Sequence, residues 1–491
     1  MTSFTTSHEE ALRAGLSGSA RHRAYWLANS TVLLMFVVTF ALASRDIGWL
    51  ADDHLFRHVT FRTALSAVAA DWGHDLATGV PGYRPLPMLT YAVDHWLWRA
   101  TAGGYHVTNV LLYVLACGAL LALTFALTQR RAVAGLACAL FAVHPSHHES
   151  LFWVSGRPIV IATACCLFSA TAYVQRRHVW GLLAFVLALA SYEAALMLPL
   201  VLVVLDRERD LRIRAWSILP YAAVGAAYLM FRWIAISSAS TEVSTLSTLH
   251  PGHYKLLAAR LLRLPMEPTG FVWSSPVFWI TSVVSATASA LVVTTGHRKD
   301  SDFIVRSLLL TAIVFVPFLT QVGIADRFVF LASAGYCMGL AAAFAGAWER
   351  HGRARPLAVA LGATLVVAWA IDLGARAGEW RTAGRLARQV VAESSALLPD
   401  PPVKTPVAVF GVPDRVGAAL VFPTYFDRAL RDEYGQADLG IRWFTGDDVL
   451  TRCRLQRDGA RRTIVLWWDP ERRHMATDTG GCPRLADVPS S

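Results

Sequence analysis

The feature that most constrains this chain is a series of apolar runs, several of them close to the roughly 20 residues that a helix needs to cross a bilayer. Of its 491 residues, 55% are hydrophobic and only 16% are charged. This pattern predicts a mainly α, polytopic membrane protein with about eleven transmembrane helices. The predicted spans lie near residues 25–44, 106–127, 132–146, 158–174, 178–191, 193–205, 215–235, 276–295, 303–322, 327–347 and 357–374.

Basic residues in the short loops between these runs predict the orientation of the chain. The basic loops are Arg130-Arg131, Arg176-Arg177, Arg207 to Arg214, Arg298-Lys299 and Arg350 to Arg355. With residues 1–24 in the cytoplasm, all these loops lie on the cytoplasmic side, as the positive-inside rule requires. The expected location is therefore a plasma membrane, of bacterial type. Because the net charge of +10 is spread over these loops, nucleic-acid binding is not expected.

Composition divides the chain into a transmembrane domain, residues 25–374, and a soluble domain, residues 375–491. The transmembrane domain has two large extracytoplasmic loops, residues 45–105 and 236–275, and the first is predicted to hold interfacial helices at His54–Ala70 and Pro87–Trp98. The soluble domain is predicted to be a small extracytoplasmic α/β module. Its predicted helices are Trp380–Leu398 and Phe426–Tyr434, and its predicted strands are Val407–Val412 and Thr463–Trp468. Outside the cytoplasm, Cys453 and Cys482 can form a disulfide.

An acidic pair, Asp52-Asp53, follows the first apolar run. One interpretation is structural, with Asp53 capping a helix that begins at His54 and Asp52 serving as an interfacial charge. The other is functional, with one carboxylate accepting a proton from an acceptor hydroxyl while its neighbour orients it or helps to hold a divalent cation. No cofactor is required by the sequence, and the metal question stays open.

Arg84 lies in the same predicted loop, in the sequence Gly82-Tyr83-Arg84-Pro85-Leu86. The following proline restricts the backbone of Arg84, so its guanidinium has a defined direction. A planar guanidinium suits a phosphate near the membrane surface, and contact with lipid headgroups is the structural alternative.

A histidine-rich turn, His144-Pro145-Ser146-His147-His148-Glu149, ends another apolar run and is followed by Gly156-Arg157. Its spacing lacks the His-Glu-x-x-His pattern that places two zinc ligands on one helical face. The sequence instead favours a polar turn whose imidazoles bind substrate or the Asp52 loop. Arg157 is then a second phosphate contact or an ion-pair partner of Glu149.

Two more charged positions lie at predicted extracytoplasmic turns. Glu193 separates two short apolar runs, where an unpaired carboxylate is costly, so a functional or paired role is expected. Asp326-Arg327 precedes the run that begins at Phe328, which places Arg327 at the outer leaflet. A local pair between Asp326 and Arg327 is the structural alternative.

Taken together, these segments resemble the integral-membrane GT-C-type glycosyltransferases, and most closely the protein O-mannosyltransferase branch that includes the transmembrane, tetratricopeptide-containing enzymes. The matching segments are Asp52-Asp53, Tyr83-Arg84-Pro85-Leu86, Gly104-Tyr105-His106-Val107-Thr108-Asn109, His144 to Glu149 with Gly156-Arg157, and Ala325-Asp326-Arg327-Phe328. They occur in the same order within residues 25 to 375. This chain departs from the pattern at Tyr192, where relatives carry a lysine, and it has an α/β module in place of helical repeats.

The resemblance implies a sugar donor linked to a polyprenyl phosphate, an acceptor on a protein, glycan or lipid, and inverting transfer at the extracytoplasmic face. It implies that Asp52 or Asp53 is the catalytic base. Because a phosphate leaving group needs its negative charge stabilised, Arg84, Arg157 and Arg327 are the candidates for binding the donor phosphate. The residues expected to bind or orient substrate are His106, His144, His147, His148, Glu149, Glu193 and Asp326. A rival hypothesis is a transporter or flippase, or an envelope-assembly scaffold, that binds a lipid-linked sugar without catalysis.

Overall fold

The structure, a computed structural model, describes residues 38–70, 84–208, 210–238, 298–320, 325–348, 354–399, 406–435, 439–444, 449–458 and 464–477. The predicted N-terminal segment 1–24, the predicted loop 236–275 beyond residue 238, and the predicted span 276–295 lie outside these residues. Most of the predicted first span, 25–44, lies outside them as well.

The transmembrane domain is helical, as the apolar runs predict. Its helices are α1 (Phe61–Ala70), α2 (Pro85–Trp98), α3 (Ala102–Thr128), α4 (Arg131–Ala142), α5 (His148–Phe152), α6 (Arg157–Val174), α7 (His178–Leu189), α8 (Leu198–Leu205), α9 (Leu211–Ser238), α10 (Arg298–Phe315), α11 (Phe330–Trp348) and α12 (Ala354–Leu397). Among the described residues, five helical segments are long and apolar enough to cross a membrane. The chain is therefore an integral membrane protein.

The chain breaks at Glu193 as predicted, because a short 3₁₀ turn at Glu193–Met197 separates α7 from α8. The predicted interfacial helix His54–Ala70 is shorter than expected. Asp52 and Asp53 lie in a 3₁₀ turn, Ala51–Leu55, and α1 begins only at Phe61. The hydroxyl of Thr60 caps α1 by accepting a hydrogen bond from the Thr63 amide at 3.2 Å. Asp53 is therefore not the cap of this helix.

The longest helix, α12, extends over 44 residues, which is about 66 Å at 1.5 Å per residue. It runs through residue 375 without interruption, so one continuous helix joins the membrane region to the C-terminal domain. Gly384 on α12 packs directly against the segment that leads to Asp52, since a Cβ there would overlap the Ile47 carbonyl oxygen. Arg388, one turn later, donates to the Asp46 and Ile47 carbonyls at 3.2 Å. These contacts hold the acidic turn on α12.

The C-terminal domain is the small α/β module that the sequence predicts. A four-stranded sheet has the order β4-β1-β5-β6, where β1 is Val407–Phe410, β4 is Ile441–Phe444, β5 is Ile464–Asp469 and β6 is His474–Ala476. β1 pairs in parallel with both β4 and β5, and β6 is antiparallel. A hairpin of β2 (Arg415–Val416) and β3 (Ala419–Leu420) precedes helix α13 (Phe426–Tyr434), and α14 is Val449–Asp458. Cys453 is disulfide-bonded, and its predicted partner Cys482 lies outside the described residues.

Candidate active site

Several connecting segments meet at one end of the helix bundle. The turn Ala51–Leu55 contacts both the turn Val154–Gly156 and helix α13, and α5 contacts the turn Asp326–Val329. Gly156 permits one of these approaches, because a Cβ there would lie 2.5 Å from the Glu149 carbonyl oxygen. Charged groups from segments far apart in sequence are thereby brought together.

Asp53 is completely buried and joins two of these turns. Its Oδ1 accepts hydrogen bonds from both the amide and the hydroxyl of Ser155, each at 2.9 Å. Burial raises the pKa of Asp53 to about 8, although the bonds from Ser155 lower it. The carboxyl is therefore mainly neutral at pH 7, which makes Asp53 a poor acceptor for a substrate proton.

Asp52 has a different environment, because its side chain is only partly buried. Its Oδ1 accepts a hydrogen bond from the hydroxyl of Thr424, in the C-terminal domain. Burial raises the pKa of Asp52 above its ordinary value, whereas the bond from Thr424 and the charge of Arg327 lower it. An accessible carboxylate whose pKa is raised towards neutral pH is suited to general-base chemistry.

Arg327, whose charge acts on Asp52, is held in a fixed orientation. Both its backbone amide and its Nη1 donate to Glu149 Oε2 at 3.2 Å. Its guanidinium also lies over the ring of Trp153, 5.0 Å from the ring centroid. The side chain of Arg327 remains 30% exposed, whereas that of Glu149 is 5% exposed. Glu149 therefore orients a cation that is still accessible to a ligand.

Two further arginines converge on Glu193. Arg84 Nη2 lies 3.2 Å from one carboxylate oxygen of Glu193, and Arg232 Nη1 lies 3.1 Å from the other. Arg84 precedes α2, which is anchored to the end of α7 by a bond from the Leu86 amide to the Ala190 carbonyl at 3.1 Å. Its guanidinium also stacks over Tyr192, 4.7 Å from the ring centroid.

Tyr192 packs against Arg84, and Arg327 is near enough for its charge to act on the Tyr192 hydroxyl. The charges of Arg84, Glu193, Arg327 and Glu149 all act on this hydroxyl. Arg232 was not predicted from the sequence, although a signal for it exists. It lies between Phe231 and Trp233 in a predicted span, where an ionisable residue is by default a functional candidate.

Comparison with known proteins identifies the fold. ArnT from Cupriavidus metallidurans superimposes with a TM-score of 0.51 over 92% of this chain and 94% of that chain, at 12% sequence identity. The arabinofuranosyltransferase AftD from Mycobacteria gives a TM-score of 0.50 over 91% of this chain and 36% of that chain, at 14% identity. The chain has a GT-C glycosyltransferase fold.

The sequence itself is similar to curated protein O-mannosyltransferases. It is 24% identical over 346 residues to the protein O-mannosyl-transferase F38B6.6 of Caenorhabditis elegans. The match covers 63% of this chain and 49% of the relative, so the chain spans about half the length of that protein. No family model matches the chain.

Within this fold, Arg157 is enclosed by the helix bundle, and its guanidinium is bonded to protein groups. Its side chain is 0% exposed, and Nη2 lies 2.5 Å from Oδ2 of the equally buried Asp94. Nε donates to Asn109 Oδ1 at 2.7 Å, and Nη2 also donates to the Tyr105 carbonyl at 3.1 Å. Arg157 therefore stabilises the packing of α2, α3 and α6. It pairs with Asp94 and not with Glu149.

Three predicted substrate-binding histidines are also buried inside the GT-C core. His106 Nε2 bonds to the Gly48 carbonyl at 2.9 Å. His147 lies between the Tyr113 and Ser333 hydroxyls, at 2.6 and 2.7 Å. His144 accepts a hydrogen bond from the Ser146 amide at 3.3 Å and packs against Trp369. None of these three side chains is accessible, so in the described structure each is held by contacts with protein groups.

His148 and Asp326 are likewise buried, and they act on the loops that carry accessible residues. His148 Nε2 lies 2.8 Å from Asp326 Oδ2, and Nδ1 accepts a hydrogen bond from Trp380 Nε1 at 3.0 Å. A local pair with Arg327 was the structural alternative for Asp326, and the structure adds this contact with His148 from a different loop. His148 and Asp326 therefore fix the turn that presents Arg327.

The fit of a metal ion can be judged from the side chains that carry potential ligands. In the described parts of the chain, no group of three or more His, Cys, Asp or Glu side chains is arranged to hold a metal. At the acidic pair, Asp53 is buried and its Oδ1 accepts hydrogen bonds from Ser155, whereas its Oδ2 has no hydrogen-bond partner among the described residues.

An apolar groove of about 290 Å³ lies between helices α7 and α9 and reaches Arg232. Its lining residues are Val186, Leu189, Ala190, Val224, Ala227, Tyr228, Phe231 and Arg232. Val186 and Phe231 are 46% and 54% exposed, as expected for helices that face lipid. The groove thus joins a lipid-facing surface to the Arg84–Glu193–Arg232 cluster.

Proposed function

We propose that this protein is a glycosyltransferase that moves a sugar from a polyprenyl-phosphate-linked donor to an acceptor hydroxyl at the extracytoplasmic face, with inversion. The observations that carry the proposal are an accessible carboxylate, Asp52, on which the charge of Arg327 acts, and two further accessible arginines that converge on Glu193. Arg84, Arg232 and Arg327 have side chains that are 25%, 23% and 30% exposed. The similarity to protein O-mannosyltransferases and the GT-C fold support this assignment.

The donor matches two adjacent features of the site. Part of its prenyl chain fits the apolar groove between α7 and α9, where the chain passes from the bilayer to the site without exposure to water. Its phosphate fits the guanidinium groups at the end of that groove, which can bind two oxygens at once. In relatives, a lysine is expected at the position of Tyr192, next to Glu193. In this chain, the cation beside Glu193 comes instead from Arg232, on α9.

The proposed reaction is a single displacement. Asp52 removes the proton from the acceptor hydroxyl as its oxygen bonds to the anomeric carbon. The bond from that carbon to the phosphate oxygen breaks on the opposite side, which inverts the configuration. The polyprenyl phosphate leaves with the bonding electrons, and its growing negative charge is stabilised by fixed guanidinium groups in a partly dehydrated site.

Arg84→Ala is expected to lower kcat/KM for transfer by about 10²-fold, because one cation that stabilises the leaving phosphate is lost. Arg84→Lys should restore only part of the activity, since an ammonium cannot form the paired bonds of a guanidinium. The measurement is the initial rate of transfer from a polyprenyl phosphate sugar by purified protein in vesicles.

Arg176→Ala is the matched control, because Arg176 also pairs with a glutamate, Glu208, at 3.2 Å but lies elsewhere on the bundle. Its activity should equal that of the wild type. Equal losses in the Arg84 and Arg176 variants would contradict the phosphate assignment. Movement of the donor across the vesicle membrane without sugar transfer would favour a transporter.

A further inference from the structure

We propose that the C-terminal domain completes the active site, with Thr424 as a positioning residue for Asp52. The role of Asp52 as the base rests on the proposed glycosyl transfer, whereas the contact between Thr424 and Asp52 does not. Thr424 lies between β3 and α13, and its hydroxyl donates directly to the carboxylate of Asp52. The two residues are 372 positions apart in sequence.

The loop that carries Thr424 is bonded to the acidic turn through its backbone as well. The Ala51 amide donates to the Val421 carbonyl at 2.9 Å. Ala51 immediately precedes Asp52, and Val421 lies three residues before Thr424. The side-chain contact is therefore part of a defined docking of one loop on the other.

Both loops have unusual backbone conformations beside this contact. Ala51, before Asp52, has φ 46°, and Tyr425, after Thr424, has φ 58°. Neither residue is glycine, so each is in a sparsely populated region that persists only when its surroundings impose it. The surroundings of both residues constrain their backbones. Ala51 is fully buried, and Tyr425 packs against the apolar cluster that contains Leu55 and Phe56.

A second set of contacts holds the same domain in place without Thr424. Asp432 on α13 contacts His54 Nδ1 at 3.4 Å and His58 Nε2 at 3.3 Å. The ring of Phe422 stacks on that of His54, with centroids 6.1 Å apart. Removal of the Thr424 hydroxyl should therefore leave the domain docked, which isolates the effect of one hydrogen bond.

The hydroxyl of Thr424 has a specific chemical consequence. By donating to Oδ1, it fixes the rotamer of Asp52 and leaves Oδ2 for the acceptor proton. A hydrogen bond to the ionised carboxylate also favours the ionised form and so lowers its pKa. The other charged or titratable groups that act on Asp52 are Arg327, which also favours ionisation, and Asp53, which opposes it when charged.

The test compares wild type, Thr424→Val and Thr424→Ser by carbodiimide labelling of Asp52 across a pH series. Carbodiimides react with protonated carboxyls, so labelling falls as pH rises through the pKa, and fragment spectra distinguish Asp52 from Asp53. In Thr424→Val, the midpoint should move upward by about one pH unit. Thr424→Ser keeps the hydroxyl and should restore the wild-type midpoint.

Sugar transfer is measured on the same samples. The acidic limb of the pH–rate profile should move in the same direction in Thr424→Val, because Asp52 stays protonated to a higher pH. An unchanged labelling midpoint in Thr424→Val would overturn the inference whatever the activity. A shifted midpoint in Thr424→Val, together with no sugar transfer by the wild-type protein, would confirm the positioning contact and refute the proposed function.

Discussion

Asp52→Asn is expected to reduce sugar transfer by roughly 10²- to 10⁴-fold while leaving the fold intact. The amide nearly preserves the size of the carboxylate and can still accept the hydrogen bond from Thr424. It cannot accept a proton from the acceptor. The measurement is the initial transfer rate, together with the thermal unfolding of each purified variant.

Asp53→Asn is the matched control at the adjacent position. Because burial raises the pKa of Asp53 to about 8, the native residue is mainly a neutral acid at pH 7, and asparagine resembles that form. The amide oxygen can still accept hydrogen bonds from Ser155. This variant should retain most of its transfer activity. Loss of activity in Asp53→Asn with full activity in Asp52→Asn would reverse the assignment of the two aspartates.

Asp94→Ala is expected to lower the free energy of unfolding by about 3–5 kcal/mol. It leaves the guanidinium of Arg157, which is fully buried, without its carboxylate partner. Thr108, which donates to Asp94 at 2.6 Å, loses its acceptor as well. Thermal or denaturant-induced unfolding of the detergent-solubilised protein measures the effect.

Two variants show whether this loss comes from the unpaired buried charge. Asp94→Leu combined with Arg157→Met removes both charges, and it should be much less destabilising than Asp94→Ala. Arg84→Ala breaks a partly exposed pair and should change stability by only about 0–1 kcal/mol. If Arg84→Ala destabilised the protein as strongly as Asp94→Ala, the distinction between a structural and an accessible arginine would be wrong.

Much of the fold is encoded by local patterns and was predictable for that reason. Apolar runs predict helices such as α3 and α11, and the alternation of short buried strands and helices predicts the α/β module. Helix α13 has the predicted bounds, Phe426–Tyr434. The uninterrupted course of α12 through residue 375 was not predicted, because hydropathy falls there although helical structure does not end.

The candidate site was predictable as a set of segments but not as a set of contacts. Side-chain chemistry singled out both Arg157 and Arg327, yet burial makes the first structural and leaves the second accessible. Which of them is buried depends on long-range partners, Asp94 for Arg157 and Glu149 for Arg327. The contact of Thr424 with Asp52 has no local signal, because it joins two domains.

The most direct test of the central claim is the anomeric configuration of the product that the purified protein forms from a polyprenyl phosphate sugar. The configuration is determined by NMR on product isolated at early times. A single displacement with Asp52 as base predicts a glycoside whose anomeric configuration is opposite to that of the donor. A product with the configuration of the donor would contradict this mechanism.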